Sequence, residues 1–379
     1  MKSHARFAGF SLSRWFGIIA KEFIQLKRDR LTFGMIVGIP IIQLLLFGFA
    51  INSDPRQLPT AVVIADPGPS ARAYVAAMHN SDYFRIVGSV GEQEAGELLD
   101  AGAVQFVVTF PVGFNRDVVR GRSPVILVEA DATDPMAASG AISVLNRLGA
   151  EVFVPDLPGY RRPAVPPVEL RVHRRYNPEG LTAYNIVPGL IGVILTLTLV
   201  LMTGLAMTRE RERGTFENLL ATPATPVEVM TGKIVPYILI GLIQVTLVLA
   251  AARWIFDVPM HGSLALLYAV VLLFICANLI LGITFSSIAR NQLQAMQMTF
   301  FFFLPSMLLS GFMFPFRGMP GWAQAIGNVL PLTHFLVLVR GIMLKGNEAA
   351  TLWPEVWPIL AFIAGVLAVG LKTFRRTLD

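Results

Sequence analysis

The chain has 379 residues, 54% hydrophobic and only 15% charged, with a positive mean hydropathy and a net charge of +6. This is too apolar for a soluble domain, and its basic residues sit beside apolar runs rather than in a stripe with interleaved aromatics, which argues against a nucleic-acid surface. The single cysteine, Cys276, lies inside an apolar run, so an intrachain disulfide and a thiolate metal site are excluded.

In residues 1–30, Leu12, Trp15, Phe16, Ile19, Phe23 and Leu26 recur at helical spacing, with Arg14, Lys21 and Lys27 off that stripe. The pattern predicts an amphipathic helix in the membrane interface, either a passive anchor or a contact for a cytosolic partner through Trp15, Phe16, Ile19 and Phe23. Residues 31–51 form a first span. Gly48, Phe49 and Ala50 resemble a cleavage site, but the run and its basic lead are both too long for a secretory signal, so a retained anchor is expected.

Residues 52–182 change character. Runs from Thr60, Phe84, Gln105, Val125 and Val168 read as strands, and Pro69 to Asn80, Gly91 to Ala101, Val112 to Arg120 and Pro135 to Phe153 read as helices, which together predict a small α/β domain. Asp131, Asp134 and Glu129 are candidates for paired carboxylates. A strand-end role and an N-cap role for Asp134 before Pro135 explain them equally well.

Residues 183–379 predict five further spans, at about 183–207, 229–252, 264–287, 294–314 and 353–371. The fold class is therefore a polytopic α-helical membrane protein of six spans with an inserted extracytoplasmic α/β domain. Lys2, Arg6, Arg14, Lys21, Lys27, Arg28 and Arg30 before the first span, and Lys372, Arg375 and Arg376 after the last, put both termini in the cytosol.

The loop at 208–228 is then cytosolic. Its alternating Arg and Glu cannot lie in hydrocarbon, while Phe216, Leu219 and Leu220 make one apolar ridge at i, i+3 and i+4, suited to a groove on a partner or to the lipid surface. The segment at 314–345 is too apolar for a solvated loop and is cut by Pro315, Pro320 and Pro331, which predicts an outer re-entrant segment with Trp322 at headgroup level. Arg340 is expected to snorkel to that interface with its stem in lipid, and His334 to pack there, in preference to a catalytic or proton-relay role for either.

No G-x-x-x-x-G-K-[ST] loop is present, so ATP is not bound here in the P-loop manner. No internal repeat is visible, and the spans lack the buried carboxylates that ion coupling uses. The chain is not expected to be an enzyme and needs no metal or cofactor.

Three groups of residues resemble the ABC-2 type permeases, membrane subunits of bacterial ATP-binding-cassette exporters. They are Arg209 through Arg213, Gly214, Thr215, Glu217, Leu219, Leu220 and Pro223; Gly232 and Lys233; and Leu309 to Pro315 continued by Met319, Pro320, Trp322, Gln324, Pro331, His334, Phe335, Arg340, Gly341 and Leu344 to Gly346. The resemblance covers nearly the whole chain. It implies an inner-membrane permease that pairs with an identical or similar chain, carries cytosolic ATPase subunits and forms half of a pathway. The large external domain resembles the branch that works with a periplasmic adaptor.

In that frame Arg213, Gly214, Thr215, Phe216, Glu217, Leu219, Leu220 and Pro223 couple to the ATPase, and Gly311, Pro315, Trp322, Pro331, His334 and Arg340 are candidates for an outer gate. The apolar spans favour hydrophobic or amphiphilic export. A membrane receptor or assembly scaffold, and an ion-coupled carrier, are the alternatives without an ATPase partner.

Overall fold

A computed structural model describes residues 55–153, 166–212 and 226–375. The expected interfacial helix, the first span and the coupling residues Arg213 to Pro223 lie outside the described residues.

The α/β unit runs β1 (Leu58–Ile64), α1 (Pro69–Asn80), β2 (Phe84–Ser89), α2 (Glu92–Asp100), β3 (Phe106–Phe110), α3 (Phe114–Val119), β4 (Val125–Asp131), α4 (Pro135–Glu151) and β5 (Glu169–Arg175). Proline opens α1 and α4, where its missing N–H costs nothing, and the Asp134 carboxylate caps α4 by accepting from Met136 N and Ala137 N. The five strands lie in the order β2-β1-β3-β4-β5, parallel except for the antiparallel β3–β4 pair.

One face of the sheet, with Leu58, Val62, Phe106, Val108, Ile126 and Val128, is buried under α1, α3 and α4, and Tyr74, Phe110, Phe114 and Phe153 interlock there edge to face or stacked. The other face is covered by α2 only over β1 and β3, through Ala61, Val107, Ala95 and Leu99. Across β4 and β5 it is polar: Glu129 pairs with His173 and Arg175.

The helical part comprises α5 (Thr182–Glu212), α6 (Pro226–Trp254), α7 (Leu264–Ile288), α8 (Gln292–Leu309), α9 (Gly321–Gly327), α10 (Pro331–Arg340), a π turn at Gly341–Lys345 and α11 (Ala349–Arg375). Among the described residues, α5, α6, α7 and α11 are long and apolar enough to cross a membrane; α9 and α10, with the π turn, would add a fifth only if counted as one span bent by 83°. With the sheet, this makes a polytopic membrane protein. The expected span at 294–314 is shorter than read: α8 stops at Leu309, and Gln292, Gln294 and Gln297 in its first two turns make it less apolar than the other four.

α5 and α7 form the centre. At their crossing a Cβ on Gly282 would lie 1.9 Å from Thr203 Oγ1 and 2.9 Å from Val200 O, so the two backbones approach as only glycine allows. Phe274 of α7 stacks on Phe335 of α10 at 4.0 Å between centroids, and Gly192 of α5 leaves the space that Leu332 and Phe335 fill. The hydroxyls of Thr196, Thr203, Thr208, Thr284, Thr299 and Ser306 all bond carbonyls one turn back in their own helices, which hides polar groups from hydrocarbon. Helices α6 and α11 are peripheral; Val235, Leu239, Ile243 and Leu247 form an exposed apolar stripe along α6.

Candidate functional site

All described contacts between sheet and bundle fall at one end of the sheet, where β1, β2 and β3 begin and β4 and β5 finish. This follows from the topology, because β3 alone runs antiparallel to β4, bringing Gln105 beside Asp131. The tightest contact is a buried ion pair, Lys345 Nζ to Asp131 Oδ2 at 2.6 Å, with both side chains less than a tenth exposed. Lys345 also donates to Leu99 O and lies 4.9 Å over the Tyr176 ring, whose hydroxyl donates to Asp100. Tyr176 stands at φ 68°, a strained conformation for a bulky residue, at the turn from β5 toward α5.

The segment after α8 is anchored to the same edge. Gly311, at φ 83°, turns the chain out of α8, and Arg317 Nη2 then donates to Gly102 O at 3.1 Å. The segment at 314–345 therefore touches the loop after α2 near its start, through Arg317, and the last turn of α2 at its end, through Lys345. Between these points α9 and α10 pack against α8 and α7, and the π turn is held by His261 N to Met343 O and Gly262 N to Ile342 O.

A cavity of about 740 Å³ lies between the two parts. Its roof is the end of the sheet, with Arg56, Arg85, Gln105 and Asp134; its floor is the turn after α8 with Gly311, Pro315 and Arg317, and the inner side of α10 with His334 and Arg340. Four of the six expected gate residues thus meet. Pro331 starts α10 and is buried, while Trp322 on α9 is 45% exposed and does not line the cavity.

One expectation is corrected here. The Arg340 guanidinium does not reach outward with its stem in lipid: it turns inward, donating to Asn185 Oδ1 at 3.1 Å and to Gly311 O at 3.4 Å, and Asn185 in turn donates to Thr133 O of the α/β unit. The polar groups of the sheet edge offer it partners that the lipid interface would not. His334 is likewise buried, with Nδ1 2.6 Å from Glu355 Oε2 and Nε2 2.8 Å from Asn328 O. Both partners accept hydrogen bonds, so the ring can donate from both nitrogens as an imidazolium tied between α9 and α11.

The carboxylates considered for chemistry have structural work. Asp131 holds Lys345 and Thr133, Asp134 caps α4, and Glu129 holds Arg175. No group of residues suited to a metal occurs among the described residues. Burial pushes the Asp134 carboxyl above the usual carboxylate range, against the pull of Arg340 and the amides of Ala137 and Met136.

At the far end of the bundle the base of the charged loop is fastened. Glu212, the last residue of α5, accepts from Gln292 N at 2.8 Å and Gln292 Nε2 at 2.5 Å, at the start of α8. Sequence reasoning gave no role to Gln292, Asn185, Arg317 or Lys345. Lys345 stood inside a motif of the family resemblance, Leu344 to Gly346, and Arg317 between two of its parts, Pro315 and Met319.

Residues 30–372 match the family described as ABC-2 family transporter protein. The chain belongs to this family. It is 29% identical over 364 residues to the probable multidrug ABC transporter permease YbhS of Escherichia coli, covering 95% of this chain and 96% of that protein. It is 34% identical to the inner membrane transport permease YhhJ of E. coli over 293 residues, 76% of each chain, and 21% identical to the linearmycin resistance permease protein LnrN of Bacillus subtilis over 357 residues, 89% of this chain and 92% of LnrN. The ABC-2 match takes in both the sheet and the bundle, so the junction cavity lies wholly inside the shared region.

Proposed function

We propose that this chain is the permease subunit of an ATP-binding-cassette exporter, forming half of a translocation path with an identical or similar chain and driven by separate ATPase subunits. The family match over residues 30–372 carries the reading. The names of YbhS and LnrN, a probable multidrug permease and a linearmycin resistance permease, support drug export, and the apolar spans favour hydrophobic or amphiphilic compounds.

In this reading the protein sits in the bacterial inner membrane with six spans and both termini in the cytosol. The α/β unit lies outside, available to a periplasmic adaptor. The segment at 314–345 enters the membrane and returns to the outer side, a path supported by the contacts that Arg317 and Lys345 make with the end of α2 and the loop after it. Phe216, Leu219 and Leu220 press into the ATPase, and the fastening of Glu212 to Gln292 carries that push from α5 into α8 and so toward Gly311.

The test is affinity purification of the full chain from its native membrane. Co-purification of a Walker-motif ATPase whose hydrolysis responds to the permease is expected; a chain that transports or signals without such a partner would overturn the reading.

A further inference from the structure

The cavity between sheet and bundle has an excess of positive charge. Of its cations, Arg56 faces Asp82 and His334 faces Glu355. Arg85, Arg317 and Arg340 form no ion pair among the described residues; Asp131 acts on Arg317 more strongly than the neighbouring Arg85 does, and Asp134 and Asp131 act on Arg340 from beyond ion-pair distance. The Arg340 Nε is fully buried without a hydrogen-bond partner among the described residues, although both other nitrogens' neighbours, Gly311 O and Asn185 Oδ1, are in reach of the same head.

With Asp131 held by Lys345, Asp134 capping α4 and Glu355 on His334, these guanidiniums leave room for one further anion. Arginine is the side chain best shaped to grip phosphate or carboxylate oxygens in pairs.

A second, smaller cavity of about 270 Å³ adjoins the first and shares Asp134, Gly311 and Pro315 with it. Its wall is apolar, with Met136, Ile186, Phe312, Met313 and Phe314. One molecule with a charged head and an apolar body would fill both, head among the arginines and body along Phe312 and Ile186.

We propose that the junction binds an anionic amphiphile, its phosphate or carboxylate head held by Arg85, Arg317 and Arg340 and its hydrocarbon in the adjoining apolar cavity. The proposal rests on the exporter reading for its meaning, as a loading or release site on the way out. Its chemistry can be read without transport.

The full chain, purified in a neutral maltoside, is titrated by thermophoresis with dodecyl phosphate, dodecyltrimethylammonium and inorganic phosphate. Dodecyl phosphate is expected to bind, the cationic amphiphile not to bind, and inorganic phosphate to bind about a hundredfold more weakly because it leaves the apolar cavity unfilled. Arg317→Gln is expected to weaken dodecyl phosphate about tenfold. Arg85→Gln, at an exposed position, repeats the test where folding is not at stake, and melting curves of both variants are compared with the parent.

Equal binding of both amphiphiles, phosphate binding as tight as dodecyl phosphate, or unchanged affinity in an Arg85→Gln chain that melts normally would overturn the site. Binding as expected in a chain that recruits no ATPase would uphold the site and sink the exporter reading.

Discussion

Lys345 and Asp131 are the residues on which the two halves of the molecule depend most. Removing one member of an ion pair this buried strands the other charge, at a cost of about 3–5 kcal/mol, whereas removing both for apolar groups of similar size is often neutral. Lys345→Met alone should therefore lower the melting temperature clearly, and the double variant Lys345→Met, Asp131→Leu should recover most of the loss. Additive losses in the thermal melts would show that the two side chains do not act as a pair. Asp134 gives a pH signature of opposite origin. Because burial raises its pKa in the folded state, the fold binds more protons than the unfolded chain between the ordinary carboxylate pKa and the raised value. The stability it contributes is complete below the unfolded pKa and is lost as pH rises through the folded one. Asn also caps helices but carries no charge, so Asp134→Asn should melt progressively higher than the parent as pH is raised through that window. A constant gap across pH would remove Asp134 as its source.

Among the elements, α5 and α7 are placed by small residues. Gly282→Leu would drive a side chain into Thr203 and the Val200 carbonyl, and relaxation must separate the two central helices. Detergent-extracted protein should be lost or shifted to aggregates on gel filtration, while Gly365→Leu, at a glycine of α11 with open space around it, should behave as the parent. The charged loop makes a different demand. Phe216→Asp should leave insertion intact and uncouple ATP hydrolysis from transport, because a carboxylate in an apolar groove costs several kcal/mol. Normal ATPase association and transport in that variant would remove the ridge from the coupling scheme. Periodicity and turn residues made these elements legible in advance: all five strands and four helices of the α/β unit stand within a few residues of their expected positions, since Pro69, Pro135 and alternating Val and Phe runs report local geometry. The inward turn of Arg340, the tie of His334 to Glu355 and the pair Lys345–Asp131 were not legible. Each depends on a partner 21 or more residues away, and for Lys345 on one 214 residues away, which no local pattern encodes.

At the scale of the whole molecule, the outward placement of the sheet is tested at Ser123, in the turn before β4 and away from the junction. With Cys276 replaced, Ser123→Cys should react with an impermeant maleimide in cells whose outer membrane has been opened. Reaction only after lysis of the inner membrane would invert the topology.

The one-ended attachment of the sheet has a mechanical consequence. Lys345, Arg317 and Asn185 all grip one end of the sheet, and no described hydrogen bond or ion pair joins the bundle to the strands' other ends. The α/β unit is thus a stiff lever whose fulcrum is the junction cavity. A tilt of about 10° there would swing the far end of the seven-residue β1 strand, about 23 Å away, through about 4 Å. Rearrangement of a few side chains around the arginines would reach the tip as a displacement larger than a water molecule.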